Sequence, residues 1–316
     1  MALLRFLLTR AATLVVVTLS ASFLVFSLMD LAPGSPLTFL LGNRSATPEQ
    51  VAAVRAEYRL DDPFLSRYGA WLVDVLHGDL GRSVAYKQSV LDLLSTRVTT
   101  TVLLVAYAAV IIAVVGLGLG VLAGARPGRL DAVITGITTA FLATPVFVSG
   151  VALIWIFAVQ LGWFPGFGGG SGLVDRVWHL TLPAIALSLA SAAYLARITR
   201  AAVQTELRGE HVETARSRGM ESGYVLRHHV VRNSLIPVTT VLGLTVATLI
   251  AGAVVVENVF ALDGLGSLLV QAILRSDFVV VQAVILVLVV TFVLVNTVVD
   301  VLYTVVDPRI SLAGGR

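Results

Sequence analysis

Two stretches of the 316-residue chain hold side chains whose types and spacing could do chemistry. The first is Gly169-Gly170-Ser171-Gly172, a glycine-flanked serine of the kind used as a nucleophile in proteolysis within a membrane. Such a serine needs a histidine base within hydrogen-bond reach on a neighbouring helix. His179 falls instead at the edge of an apolar run, and His211, His228 and His229 fall in a charged loop, so position argues against the pairing. The histidines form no His-Glu-x-x-His pattern and the chain has no cysteine, which removes the usual metal sites and thiol chemistry. The sole lysine, Lys87, lacks the glycine-rich run of a phosphate-cradling loop, so the chain is not itself an ATPase. The second stretch is His211 to Met220, a crowd of charges between two long apolar runs.

That crowding stands out because the chain is 57% hydrophobic and only 13% charged. With a mean hydropathy of +0.92, it exceeds the apolar share of a soluble domain. A hydrocarbon core of about 30 Å takes roughly 20 apolar residues to cross. Six runs reach that length, at about 11–30, 98–124, 131–162, 180–200, 235–257 and 278–306. The expected fold class is therefore an all-α membrane protein with six transmembrane helices. The first run is long for the core of a cleaved signal and is read as a span. The net charge of +3 does not imply nucleic acid, because thirteen of the 22 basic residues fall in segments that share one side if six spans alternate. The bias of basic loops toward the cytoplasm puts both termini inside. The chain then divides into an N-terminal span (1–30), an extracytoplasmic helical segment (31–97), a five-span core (98–306) containing a cytoplasmic loop at 201–234, and a cytoplasmic tail (307–316).

In the outer segment, Thr47, Pro48 and Gln50 have the spacing of a capping box, which predicts a short helix starting there. After Pro63, the recurrence of Tyr68, Leu72, Val75 and Leu76 predicts an amphipathic helix closed by Gly78 and Gly81, with Arg67 and Asp74 turned to water. Gly116, Gly120 and Gly124 predict a face where another helix approaches closely. Pro145, Pro183 and Pro237 predict kinks in or at the ends of spans.

Ionisable groups inside a bilayer are costly, about 2.5–3.5 kcal/mol each at its centre, and have a reason to be there. Asp30, Glu257 and Asp300 lie toward the ends of their spans. Asp300 is expected to form a structural intramembrane ion pair with Arg197 or Arg200. Glu257, with Asn258 and Phe260, is a candidate for the translocation path or outer gate, or else Glu257 hydrogen-bonds the loop that follows. Within the charged stretch, Val212, Ala215 and Gly219 stand at i, i+3 and i+7, a small flat strip rimmed by charge. A short helix of that shape fits a groove on a soluble partner. It is equally a solvated loop helix, and the residues alone leave both readings open.

The run Glu213-Thr214-Ala215-Arg216-Ser217-Arg218-Gly219, followed by RHHVVRNSLIP at 227–237, closely resembles the cytoplasmic loop of permease subunits of ABC importers. The family pattern is Glu-Ala-Ala, three residues, Gly, with a later Pro; Thr214 replaces the middle Ala. The longer distance from Gly219 to Pro237 is similar to the dipeptide, oligopeptide and nickel branch. Four more stretches resemble that branch: RFLLTR onward from Arg5, YRLDDPFLSRYGAWLVDVLHGDLGRS from Tyr58, VVENVFALDGLG from Val255 and NTVVDVLYTVVDPRI from Asn296. Asp263 departs from it, standing where the branch often has Pro.

The resemblance implies a type I importer bundle in the bacterial plasma membrane, working by alternating access. It implies a coupling helix at about 211–220, with Val212, Glu213, Thr214, Ala215, Arg216 and Gly219 docking on an ATPase. The implied partners are a second permease subunit, two ATPase domains that use ATP and Mg, and an extracytoplasmic peptide-binding protein; the chain itself needs no cofactor. Di- or oligopeptides are the expected cargo, with nickel chelates or glutathione-like solutes as alternatives. An ion-coupled carrier would need paired buried charges in two repeated halves, and no such repeat is visible.

Overall fold

A computed structural model describes residues 2–31, 37 and 47–306, and these are helical apart from turns and one isolated bridge between Arg82 and Ser89. In chain order the helices are α1 (Ala2–Leu31), α2 (Pro48–Glu57), α3 (Phe64–Leu76), α4 (Val90–Ala125), α5 (Arg129–Ala143) and α6 (Val146–Gln160). They continue with α7 (Leu173–Leu207), α8 (Glu210–Ser217), α9 (Ser222–Val225), α10 (Arg232–Val259), α11 (Leu265–Leu274) and α12 (Phe278–Val306). Three segments widen to π-helix: Ile112–Gly116 in α4, Ile154–Gln160 ending α6, and Leu226–Val231 joining α9 to α10.

Five helices are long and apolar enough to cross a membrane, and α5 with α6 makes a sixth if the pair is one span. The kink expected at Pro145 in the apolar run 131–162 is present and sharp: the pair bends by 107° at a break. The cause is local. Thr144 precedes Pro145, and a residue before proline is pushed out of the helical region; its ψ is 122°. Pro183 and Pro237, by contrast, sit inside continuous helices.

Chain packing defines two compact units. The unit built on Val102–Leu262 centres on α7, which packs against α4, α5, α6 and α10. The glycines of α4 form its tightest contact. A Cβ at Gly120 would lie 2.4 Å from Thr199 Cβ, and one at Gly124 would lie 2.8 Å from Val203 Cβ. Lipid offers no hydrophobic drive between helices, so this backbone approach supplies the van der Waals contact that holds them. The spacing announced a close face; its partner on α7 emerges only in the fold.

The second unit joins Leu4–Thr101 to Asp263–Leu294. Its core gathers Met29, Val90, Leu93, Leu268, Val280 and Val284. Asp277, buried, caps α12 through the Val280 N–H and accepts bonds from Ser83 Oγ at 2.5 Å and the Ala85 N–H at 3.0 Å. The Thr47 capping box is present: Gln50 N–H donates to Thr47 Oγ1 at 3.3 Å, and Thr47 N–H donates to Gln50 Oε1 at 3.1 Å. The helix after Pro63 forms as α3, but its expected facing is corrected at Arg67. That side chain is only 9% exposed and donates from both terminal nitrogens to Asp30 of α1, at 3.0 and 3.3 Å. Tyr68 and Trp71 stack beside it against Phe26.

Candidate functional site

The charged stretch folds as α8, flanked by Gly209 and Gly219. Glu210 and Glu213 lie in its first turn and Arg216 in its last, each complementing the helix dipole. The end is fixed by backbone geometry. Gly219 N–H bonds the Arg216 carbonyl at 2.9 Å and Met220 N–H bonds the Ala215 carbonyl at 3.2 Å, a Schellman pair that puts Gly219 at φ +78°. Gly219 is thus the residue that turns the chain back, and it is exposed.

Val212 and Ala215 also have a different role from the one their spacing suggested. Both are buried in a satellite core with Val203, Val225 and Val230 of the same unit. The small-residue strip therefore faces the protein itself. What α8 offers outward is Glu210, His211, Glu213, Thr214, Arg216, Ser217 and the adjoining Arg218, all exposed. Glu206 at the end of α7 ties this helix down: its Oε2 lies 3.2 Å from His211 Nε2 and accepts from Asn233 Nδ2 at 3.4 Å. It thereby links α7, α8 and α10.

One of the two arginines offered to Asp300 has a partner of its own. Arg200 grips Asp131 of α5 with Nε on Oδ1 and Nη2 on Oδ2, the latter at 2.6 Å, while Arg197 is exposed. Asp131 sits at the start of a span, a position where a single charge gave no signal. The side chain of Asp300 lies outside the described residues. Of the gate candidates, Glu257 is 0% exposed and Phe260 1%, so both are buried in the core of their unit. Phe260 packs against Gly150, and the Glu257 carbonyl receives Leu262 N–H at 2.8 Å. Asn258 is exposed and bonds the Val254 carbonyl of its own helix.

An open groove of about 350 Å³ between α7 and α10 was not foreseen. Ser191, Tyr194, Thr245 and Thr248 give it hydroxyls among Ala190, Val241 and Leu244, with no charged residue. The glycine-flanked Ser171 forms a helix-start turn: its N–H donates to Asp175 Oδ2 at 2.7 Å, and His179 Nδ1 lies 3.2 Å from Asp175 Oδ1. Among the described residues no hydrogen bond joins the Ser171 hydroxyl to His179.

Long apolar spans with one short, charged, outward-facing helix set between two of them define a multi-span membrane protein of transporter type. The comparisons specify the type. Residues 116–312 match the model of the binding-protein-dependent transport system inner membrane component, and residues 3–105 match the N-terminal model of the same component. A Brucella abortus protein provisionally named as a peptide transport system permease is 39% identical over 308 residues, 96% of this chain and 98% of that one. The di/tripeptide transport system permease DppB of Pseudomonas aeruginosa is 35% identical, over 98% of this chain and 99% of its own. The oligopeptide transport system permease AppB of Bacillus subtilis is 34% identical, over 97% and 99%. A chain of the inward-facing MetNI methionine ABC transporter shares the fold, with a TM-score of 0.58 and 22% identity over 68% of this chain and 96% of that chain.

The chain belongs to the family of binding-protein-dependent transport system inner membrane components. It is a multi-pass permease subunit of an ABC importer, and ATP hydrolysis in such a system belongs to separate subunits.

Proposed function

We propose that the chain is one permease half of an importer for short peptides, with both termini cytoplasmic and α8 docking in a cleft of an ATPase domain. A second permease subunit, two ATPase domains and an extracytoplasmic peptide-binding protein complete the machine. Closure of the ATPases on nucleotide pushes α8, and α7 and α10, tied to it by Glu206, carry the motion into the spans. The observation that carries this reading is the outward face of α8: seven exposed, mostly charged or polar positions on a helix whose apolar side is already buried in its own subunit. A face of that kind suits a polar, reversible contact with a soluble protein.

The peptide assignment is supported by the full-length relatives, whose names specify peptide cargo. The groove between α7 and α10 suits it chemically. Its hydroxyls can bond the peptide units common to every cargo, and the lack of charge leaves side chains unselected. Selection then falls to the binding protein.

The test is to tag the chain, extract it gently from its native membrane and identify its companions by mass spectrometry. The reading expects an ATPase, a second permease of similar length and a binding protein loaded with peptide. A binding protein carrying a nickel chelate would overturn the substrate while leaving the machine. The folded chain recovered alone in good yield would contradict the machine.

A further inference from the structure

A cavity of about 160 Å³ in the unit of Leu4–Thr101 and Asp263–Leu294 plays no part in that reading. Its lining includes Phe26 and Met29 of α1, Arg67 and Trp71 of α3, and Val279 and Gln282 of α12. Arg67 is the chemical centre. The side chain is more than nine-tenths buried and its two terminal nitrogens are committed to Asp30, yet its buried Nε has no hydrogen-bond partner among the described residues. A buried, charged donor left unmade is costly, so the cavity favours an occupant that presents an anionic oxygen.

The mouth adds a second requirement. Arg59, Asp74 and Asp79 line it and are exposed. Asp79 Oδ1 already accepts from Gly81 N–H, whereas the Asp74 carboxylate has no partner among the described residues. Two carboxylates against one guanidinium leave the rim net negative, which suits a cation. The occupant is thus a small zwitterion, anion inward and ammonium outward.

Size and place choose its source. A cavity near 150 Å³ admits a benzene-sized group, so a phosphate with its ethanolamine arm at the mouth fits and a peptide of several residues does not. Asp30 is next to last in α1, which crosses the membrane, and α3 leaves Leu65, Val73 and Leu76 exposed at 70%, 52% and 77%. An apolar helix face beside the end of a span marks the headgroup level of a bilayer.

We propose that this cavity binds the headgroup of an amine-bearing phospholipid, phosphatidylethanolamine in type. A phosphate oxygen accepts from Arg67 Nε, the ammonium lies against Asp74, and the acyl chains follow the exposed apolar face of α3. Soluble phosphoethanolamine offers the same headgroup chemistry without the chains, and the experiment separates the two.

The full-length chain, stripped of lipid in detergent, is titrated separately with phosphatidylethanolamine, phosphatidylglycerol, soluble phosphoethanolamine and inorganic phosphate. Native mass spectrometry counts retained molecules, and thermal unfolding reports stabilisation. One phosphatidylethanolamine per chain is expected to bind about tenfold more tightly than phosphatidylglycerol, the scale of one charge-assisted contact. Ala70→Trp fills the cavity from α3 without touching the Arg67–Asp30 pair and should abolish that retention. Asp74→Asn, at an exposed position that tolerates change, should bring the two lipids to near parity, and it decides the matter if Ala70→Trp does not fold. Equal affinity for the two lipids in the unaltered chain, undiminished retention in Ala70→Trp, or an unchanged preference in Asp74→Asn would overturn the proposal. So would full stabilisation by soluble phosphoethanolamine or by inorganic phosphate, since the site would then hold a free anion.

Discussion

The two short surface helices, α3 and α8, read alike in sequence and sit in opposite ways in the fold. Helix α8 hides Val212 and Ala215 in a satellite core and turns its charges outward. Helix α3 leaves Leu65, Val73 and Leu76 exposed and turns Arg67 inward onto Asp30. Helical periodicity states which residues share a face. It does not state what lies against that face, and in a membrane protein the choices are water, lipid and protein. On the readings proposed above, α8 faces water and a soluble partner, and α3 faces lipid, where an inward arginine with a carboxylate partner is the less costly placement.

Five substitutions break or sharpen that contrast. Arg67→Ala leaves Asp30 without its bidentate partner, and the expected loss is about 3 kcal/mol, the low end for a broken buried pair because Asp30 keeps some solvent contact. Thermal unfolding of the purified chain in detergent measures it. Val212→Ala removes two buried carbons from the satellite core and should cost about 2 kcal/mol, seen as faster proteolysis at α8 before the spans unfold. Gly219→Ala forces an L-residue to a positive φ and should cost about 1 kcal/mol, detected by the same digestion. The pair Glu213→Ala and Leu76→Ser should each stay within about 0.5 kcal/mol in detergent, as exposed substitutions do. Their effects should then part company: Glu213→Ala weakens recovery of the ATPase, whereas Leu76→Ser leaves it unchanged.

How much of this was legible follows from the range of each signal. The apolar runs, the Thr47 capping box and the presence of α3 and α8 are local, governed by residues within one or two turns; they recur in the fold, with the run at 131–162 as a bent pair and α8 ending at Ser217. What the sequence did not show are partners distant along the chain. Arg67 looked solvent-facing because Asp30 lies 37 residues away. Arg197 or Arg200 was offered to Asp300 by depth alone, and the sequence did not show that Asp131, 69 residues back, holds Arg200. Glu257 stood in the sequence as a candidate for the gate or for a bond to the loop that follows, and only the packing of α10 shows it fully buried. The kink at Pro145 is local and was legible as a proline in a span, but its size of 107° was not, because the apolar run continues through Pro145 and hydropathy does not register a change of direction.

The central claim is that the outward face of α8 meets an ATPase subunit. The chain has no cysteine, so Ser217→Cys, exposed in the last turn of α8, supplies a unique thiol. The measurement is cross-linking of that thiol to the co-expressed ATPase in the nucleotide-free, ATP-bound and ADP-bound states. A cross-linked product in at least one state is the predicted result. A thiol that labels readily with maleimide yet cross-links to the ATPase in none of the three states would contradict the account.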